Sequence, residues 1–174
     1  DRRQRQMCIR DRLQASVASF AASCANKLRG QHSLASAVTV FVSSNRFRED
    51  FPQYSNGQTR ILPMPTSDTI EITQAALSVL KEIYREGISY KKTGVILGDI
   101  TDASYIQQNL FDEVKNRPER MQLMKSIDAL NHRFGLRKIH LAVEGEEKQA
   151  WHAKSEFRSG NYLSDLKEIL TIRI

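Results

Sequence analysis

The chain has 174 residues, of which 40% are hydrophobic and 26% charged, as is typical of a soluble globular protein with one ordinary domain or two small ones. No apolar run reaches the length of a membrane span, and no signal peptide is recognisable. The two cysteines, Cys8 and Cys24, form no metal-binding or disulfide pattern. These features exclude a membrane protein and favour a reducing cytoplasm.

The net charge of +6 points to a polyanionic partner, but half of it comes from residues 1–12, which hold five arginines and two aspartates. This stretch has no helical or strand period. The run from Met7 to Arg12 resembles translated sequencing-adaptor read-through, and the alternative is a disordered basic arm that touches DNA. We therefore exclude residues 1–12 from the predicted fold and look for function in local clusters.

The first element predicted in residues 13–104 is a helix, because apolar residues recur at steps of three or four positions and so lie on one face of a helix. Its apolar stripe consists of Leu13, Val17, Phe20, Cys24 and Leu28. The alternating run 37–43 predicts a strand with valines on one face and Thr39 and Ser43 on the other. The run 60–62 predicts a second strand.

A second helix is predicted to begin after Asp68, an N-cap residue with Glu71 three positions later, and to end at Gly87. The run 91–98 predicts the last strand of this domain. The order helix, strand, strand, helix, strand is five-sixths of the ferredoxin-like βαββαβ arrangement. We therefore predict an α+β, little-finger-like fold that lacks its first strand, an interior one, and so exposes unpaired backbone groups.

The rest of the chain divides into a linker, residues 105–117, and a small second unit. Pro118 stands at the favoured first position of a third helix, which Gly135 ends. Alternation over 139–143 predicts a strand. Residues 118–174 are therefore predicted to form a small α/β unit.

The sharpest functional motif is the run Gln107-Gln108-Asn109-Leu110-Phe111 in the linker. It matches the Gln-x-x-Leu-Phe pattern of peptides that bind the bacterial sliding clamp. Leu110 and Phe111 would fill an apolar pocket, and Gln107 would anchor the other end by hydrogen bonds. The alternative is that Leu110 and Phe111 pack the linker onto the core. The position after a complete domain and before a proline-led helix favours the clamp peptide.

Polar and basic residues gather on or beside the predicted strands. They are Thr39, Ser43, Arg46, Arg48, Arg60, Lys91 and Lys92. Such side chains at a sheet surface can contact successive phosphates without reading bases. The alternative is an ordinary solvated face, since Glu49 and Asp50 weaken the cluster.

Catalytic patterns are weak in this chain. There is no glycine-rich phosphate loop, and the four histidines lack metal-ligand spacing. Asp99 and Asp102 could serve a metal-dependent enzyme, but two acids three residues apart at a strand end are more often capping or turn residues. We predict no catalytic residue, no metal site and no cofactor within this chain.

Several stretches, taken in order, resemble the C-terminal part of UmuC-type translesion DNA polymerases of the Y family. They are residues 25–29, 40–47, 92–97, 107–111, 128–131 and 134–135, together with Trp151. The run 159–164 departs from the family pattern, where a proline usually follows the serine and paired threonines follow the tyrosine.

The resemblance implies a little-finger domain that grips the template-primer duplex, a clamp peptide and a UmuC-type terminal domain of unknown function. It also implies that the magnesium-binding carboxylates lie upstream, in the catalytic palm of a longer polymerase that acts in SOS mutagenesis. The implied partners are damaged or primed duplex DNA, the sliding clamp, a processed UmuD dimer and a recombinase filament. The rival interpretation is a stand-alone clamp- or DNA-binding interaction protein without polymerase activity.

Overall fold

The computed structural model describes residues 2–47, 50–105, 116–135 and 137–145. The helices and strands in these ranges are α1 (Arg2–Gly30), β1 (Ser33–Ser44), β2 (Ser55–Thr66), α2 (Thr69–Ile83), β3 (Tyr90–Asp102) and α3 (Arg117–Phe134). Short 3-10 turns follow at Ala103–Tyr105 and Ala142–Glu144. The mixture of helices with an antiparallel sheet confirms the predicted α+β, little-finger-like fold.

Helix α1 begins at Arg2, so the stretch predicted to lie outside the fold is helical. Neither proline nor glycine occurs before Gly30, and arginine and glutamine both favour the helix. Further along, the buried residues recur every three or four positions; they are Leu13, Val17, Ala21, Ala25 and Leu28. Alanines therefore share the stripe that the sequence assigned to larger residues, which lets α1 lie close to the sheet.

The sheet has the order β2-β1-β3, and both pairings are antiparallel. The predicted vacancy at an interior strand is wrong, because β1 is bonded on both sides without a gap. A further strand could join this sheet only at the outer edge of β2 or β3. The central position suits β1, whose Val38, Val40 and Val42 are β-branched and fully buried.

Helices α1 and α2 cover one face of the sheet. The helix α2 packs Ile72, Ala76, Val79 and Ile83 against the β1 valines in a single core cluster. Asp68 caps α2 as predicted, since its Oδ1 accepts a hydrogen bond of 2.7 Å from the Ile70 N–H. The other face of the sheet is left uncovered by these two helices, which makes it available to a partner.

The helix α2 ends at Ile83, four residues before the predicted stop at Gly87, because Tyr84 takes an extended conformation with ψ of 133°. The hydroxyl of Tyr90 accepts from the Arg85 N–H at 2.7 Å and donates to the Arg85 carbonyl at 3.0 Å. Burial raises the pKa of the Tyr90 phenol. The chain therefore leaves α2 by folding its aromatic residues back onto the core.

Helix α3 begins at Arg117 with Pro118 in its first turn and is capped at its end by Gly135, as predicted. The strand predicted over 139–143 is absent from the described residues, where a 3-10 turn stands instead. The amide of Asn131 bonds the N–H and the carbonyl of Ile139, both at 2.8 Å. This side chain takes the backbone groups that a neighbouring strand would have bonded.

Candidate nucleic-acid interface

The uncovered face of the sheet is built by alternate residues of the three strands. Directly paired residues point to the same side of a sheet, so the register defines its rows. The rows are Ser55, Ser43 and Lys92; then Gly57, Phe41 and Gly94; then Thr59, Thr39 and Ile96. We call these nine residues the open face.

An aromatic ring lies at the centre of the open face. The side chain of Phe41 is 37% exposed, and its neighbours on both sides are glycines. A Cβ added at Gly94 would come within 2.5 Å of the Phe41 ring, and one at Gly57 within 3.2 Å of the Phe41 Cβ. The ring therefore lies across β3 in space that only glycine leaves free, and it offers a flat surface on which a sugar or base can stack.

Hydroxyl groups flank this ring along β1. The Thr39 and Thr59 hydroxyl oxygens are 2.7 Å apart and share a hydrogen bond. Ser43 is half-buried between Ser55 and Lys92. Side chains of this kind contact phosphate oxygens without reading sequence.

Three cations border one end of the open face. Lys92 belongs to its first row, and Lys91 is the extra residue of a bulge, since Ser43 pairs with Lys92 while Ser44 pairs with Tyr90. Arg46 is exposed in the turn after β1. None of the three cations forms an ion pair with another residue in the part of the chain that the structure describes, so all three are available to a phosphate.

The turn that carries Arg46 is anchored at its base. The Ser44 N–H donates to the Tyr54 carbonyl at 2.8 Å, and the Tyr54 N–H donates to the Ser44 hydroxyl at 2.9 Å. The Tyr54 hydroxyl donates to the Ile83 carbonyl at 2.7 Å, which ties the turn to the end of α2. Beyond this base, Phe47 is 96% exposed beside Arg46.

Arg60 does not join the open face. It pairs across the strands with Val38, whose side chain is buried under the helices, so Arg60 points to the helix side. Its guanidinium donates to the Ser78 hydroxyl at 2.7 Å and forms an ion pair with Glu82. This predicted DNA contact instead ties β2 to α2.

The charge reverses toward the other end of β3. Asp99 and Asp102 are both exposed there. Two large apolar side chains, Ile61 on β2 and Ile96 on β3, are also exposed, by 75% and 54%. The hydroxyl and N–H of Ser104 both donate to Asp102, which lowers the pKa of its carboxyl. Asp102 thus caps the turn after β3, and the cationic part of the open face is confined to the Lys91–Lys92 end.

Four of the predicted site residues lie outside the described residues: Arg48, Gln107, Leu110 and Phe111. The described ranges contain no group of three or more histidine, cysteine, aspartate or glutamate side chains placed to hold a metal ion. Within the same ranges, every helix is too short or too polar to cross a membrane.

The sequence did not single out Phe41 or Thr59 as site residues. The signal that could have identified Phe41 is a pair of glycines, Gly57 and Gly94, each of which lies within a strand, where glycine often marks a close approach. Only the register shows that both glycines flank the same ring.

Two family models match this chain. The impB/mucB/samB family C-terminal domain matches residues 4–110, and a domain of unknown function, DUF4113, matches residues 121–172. The first thus covers the whole sheet, α2 and all but the first two residues of α1, and the second covers most of α3. The open face and the helix α3 therefore fall in different family domains.

Individual relatives agree with this assignment. The chain is 36% identical to Protein ImpB of Salmonella typhimurium over 95% of its own length, and 34% identical to Protein UmuC of Salmonella typhimurium strain LT2 over 94%. It is 31% identical to Protein MucB of Escherichia coli over 90%. It spans 36% to 38% of the length of these curated relatives. These identities confirm the resemblance to UmuC-type proteins. Because the first family model covers more than half of the chain, the chain belongs to the impB/mucB/samB family and carries that family's C-terminal domain.

Proposed function

We propose that this chain is the DNA-gripping and clamp-tethering part of an error-prone translesion DNA polymerase that acts in SOS DNA repair and mutagenesis. The observation that carries the proposal is the open face, where an exposed ring and hydroxyl groups lie next to three bordering cations that form no ion pair with any of the described residues. Family membership supports the polymerase context.

The open face is suited to the sugar-phosphate backbone. Lys91, Lys92 and Arg46 would neutralise phosphates at one end, and Thr39 and Ser43 would donate hydrogen bonds to phosphate oxygens. The set contains no asparagine or glutamine to read an adenine edge, and its one guanidinium, Arg46, lies in the turn after β1 at the end of the open face, where we assign it to a phosphate. The grip would therefore be independent of sequence, as a polymerase that follows damaged or primed duplex DNA requires.

The second half of the proposal concerns Gln107, Leu110 and Phe111. A short peptide with two apolar anchors would hold the polymerase on the sliding clamp and raise its effective concentration at the primer end. Catalytic carboxylates and magnesium would belong to the palm of the longer protein. Its further partners would be a processed UmuD dimer and a recombinase filament, and its compartment the cytoplasm.

Neutralising Arg46, Lys91 and Lys92 together, each to glutamine, is expected to weaken duplex binding and to flatten its salt dependence. Each phosphate contact contributes about 0.9 to the slope of log K against log salt concentration, so losing three contacts lowers the slope by about 2.7. The measurement is the affinity of the full chain for a template-primer duplex over a range of salt concentrations.

Arg60→Gln is the matched control, to be compared with Lys92→Gln alone. Both variants remove one positive charge from a strand, but Arg60 points to the helix side. We expect Lys92→Gln to lower the salt slope by about one unit and Arg60→Gln to leave it unchanged. An equal change in both variants would mean that overall charge, not the open face, binds DNA.

A stand-alone interaction protein is the second candidate function. It shares the clamp peptide and the open face but has no polymerase upstream. Family membership favours the polymerase, because the relatives are more than twice as long as the matched region. The genomic reading frame upstream of this chain separates the two candidates: a continuous palm domain supports the polymerase, and its absence supports the interaction protein.

A further inference from the structure

The helix α3 contacts the preceding unit, α1 to β3, through a set of ion pairs. The Asp128 carboxylate receives two hydrogen bonds from Arg29, 2.6 Å from Nε and 2.8 Å from Nη2. Arg120 Nε lies 2.7 Å from Asp68 Oδ2, and Arg117 Nη1 lies 3.4 Å from Glu71 Oε1. We call these six residues the arginine latch.

Apolar burial contributes little to this docking. Met124 is the only residue of α3 that is buried, at 2% exposure. Ile127 is half-buried. Four further large apolar side chains of the same helix stay 39% to 60% exposed: Met121, Leu123, Leu130 and Phe134. Because one buried methionine and a half-buried isoleucine, Ile127, supply only a small part of the burial that normally holds a helix in place, we expect the latch to contribute substantially to the attachment of α3.

The latch residues of the preceding unit keep hydrogen-bond partners within that unit that do not depend on α3. Arg29 Nη1 also donates to the Ser67 carbonyl at 2.7 Å and to the Thr69 hydroxyl at 2.9 Å. Asp68 uses Oδ1 to cap α2 and offers Oδ2 to Arg120. If α3 leaves, Arg29 keeps two acceptors and α2 keeps its cap, so the preceding unit loses none of its own hydrogen bonds.

We propose that α3 is a releasable brace: the arginine latch holds the first helix of the second family domain on the little-finger-like unit, and α3 undocks as a separate step while that unit stays folded. The latch side chains retain 10% to 29% of their exposure. Salt screens these partly buried pairs less than it would screen fully exposed ones, but it still weakens them, whereas the apolar core under the sheet has no charges to screen. Undocking is a local opening with a lower free energy than global unfolding.

One consequence rests on the proposed function. The chain between Tyr105 and Asn116 joins the 3-10 turn after β3 to α3 and contains the proposed clamp peptide. When α3 is docked, both ends of this connecting chain are attached to the preceding unit. With α3 released, the second end is no longer fixed, so the reach of the peptide and its effective concentration at the clamp change.

Amide hydrogen exchange of the full chain tests the brace directly. In the wild type, exchange in α3 should accelerate at least tenfold between about 0.05 M and about 1 M salt, while α2 and β1 keep their protection. Asp128→Ala and Arg120→Ala should each produce the same acceleration already at low salt. Lys125→Ala, an exposed change on the same helix outside the latch, should not.

Two results would overturn the proposal. One is an amide exchange rate in α3 that changes neither with salt concentration nor in the latch variants. The other is loss of protection in α3 and α2 together, because the latch would then belong to the global fold. Protection of α2 also reveals a variant that fails to fold, and the wild-type salt series needs no variant. Clamp affinity, measured separately on Asp128→Ala, should shift if the clamp peptide is correctly assigned; an unchanged affinity would remove only that consequence.

Discussion

Replacing Leu110 and Phe111 with alanine is expected to abolish binding to the bacterial sliding clamp. Buried anchors of this kind each contribute about 2 kcal/mol or more, and a tenfold change in affinity corresponds to about 1.4 kcal/mol. Allowing for non-additivity, we expect the double variant to bind at least about 100-fold more weakly. The measurement is a titration of the full chain with purified clamp, followed by calorimetry or fluorescence anisotropy.

The matched control removes two apolar side chains from an exposed site elsewhere. Leu123 and Leu130 lie on α3 and are 48% and 39% exposed. Their replacement by alanine should leave clamp affinity unchanged.

The alternative for Leu110 and Phe111, packing onto the core, predicts the opposite pattern. The double variant would then keep its clamp affinity and lose thermal stability. Each kcal/mol lost would lower the melting temperature by about 2–4 °C in a chain of this size. Measuring melting temperature together with clamp affinity therefore separates the two assignments in one set of proteins.

Elements with strong local signals could be predicted from the sequence. The start of α2 follows from Asp68, whose carboxylate satisfies a free N–H of the first turn. Both ends of α3 follow from Pro118 and Gly135, whose backbone preferences suit a helix start and a helix end. These interactions involve neighbours in the sequence, so the chain does not have to fold before they can be recognised.

Long-range contacts decided the elements that were predicted wrongly. Alternation over 139–143 resembles a strand, but a strand needs a neighbour, and Asn131 occupies the backbone groups of Ile139 instead. The prediction of a vacant interior position in the sheet was also wrong, because it too depended on which strands become neighbours. Which strands become neighbours depends on how the two helices cover the sheet, and no local pattern contains that information.

Strand alternation allowed part of the candidate site to be predicted from the sequence. Thr39 and Ser43 share a face with Lys92 because β1 alternates regularly and pairs in register with β3. Arg60 was not assignable in this way, because the side it faces depends on the register between β2 and β1. Composition and alternation yield a set of candidates, and the pairing of the strands divides that set between the two faces of the sheet.

The core under the open face provides the prediction with the largest effect on stability. Ile72 is fully buried on α2, within the cluster that packs against the β1 valines. Replacing it with alanine removes buried methyl and methylene groups and leaves a cavity, which should lower the free energy of unfolding by about 2–5 kcal/mol. A loss of this size is a large part of the total stability of a domain, about 5–15 kcal/mol. Urea unfolding of the full chain measures it.

The same substitution at an exposed position is the control. Ile61 on β2 is 75% exposed, so Ile61→Ala removes the same atoms without leaving a cavity. We expect its effect to stay within about 1 kcal/mol, the span of strand propensities. Equal losses in the two variants would contradict the burial of Ile72 under the sheet. A large loss for Ile72→Ala alone would show that the packing of α2 against the β1 valines, on the side opposite the open face, stabilises the sheet.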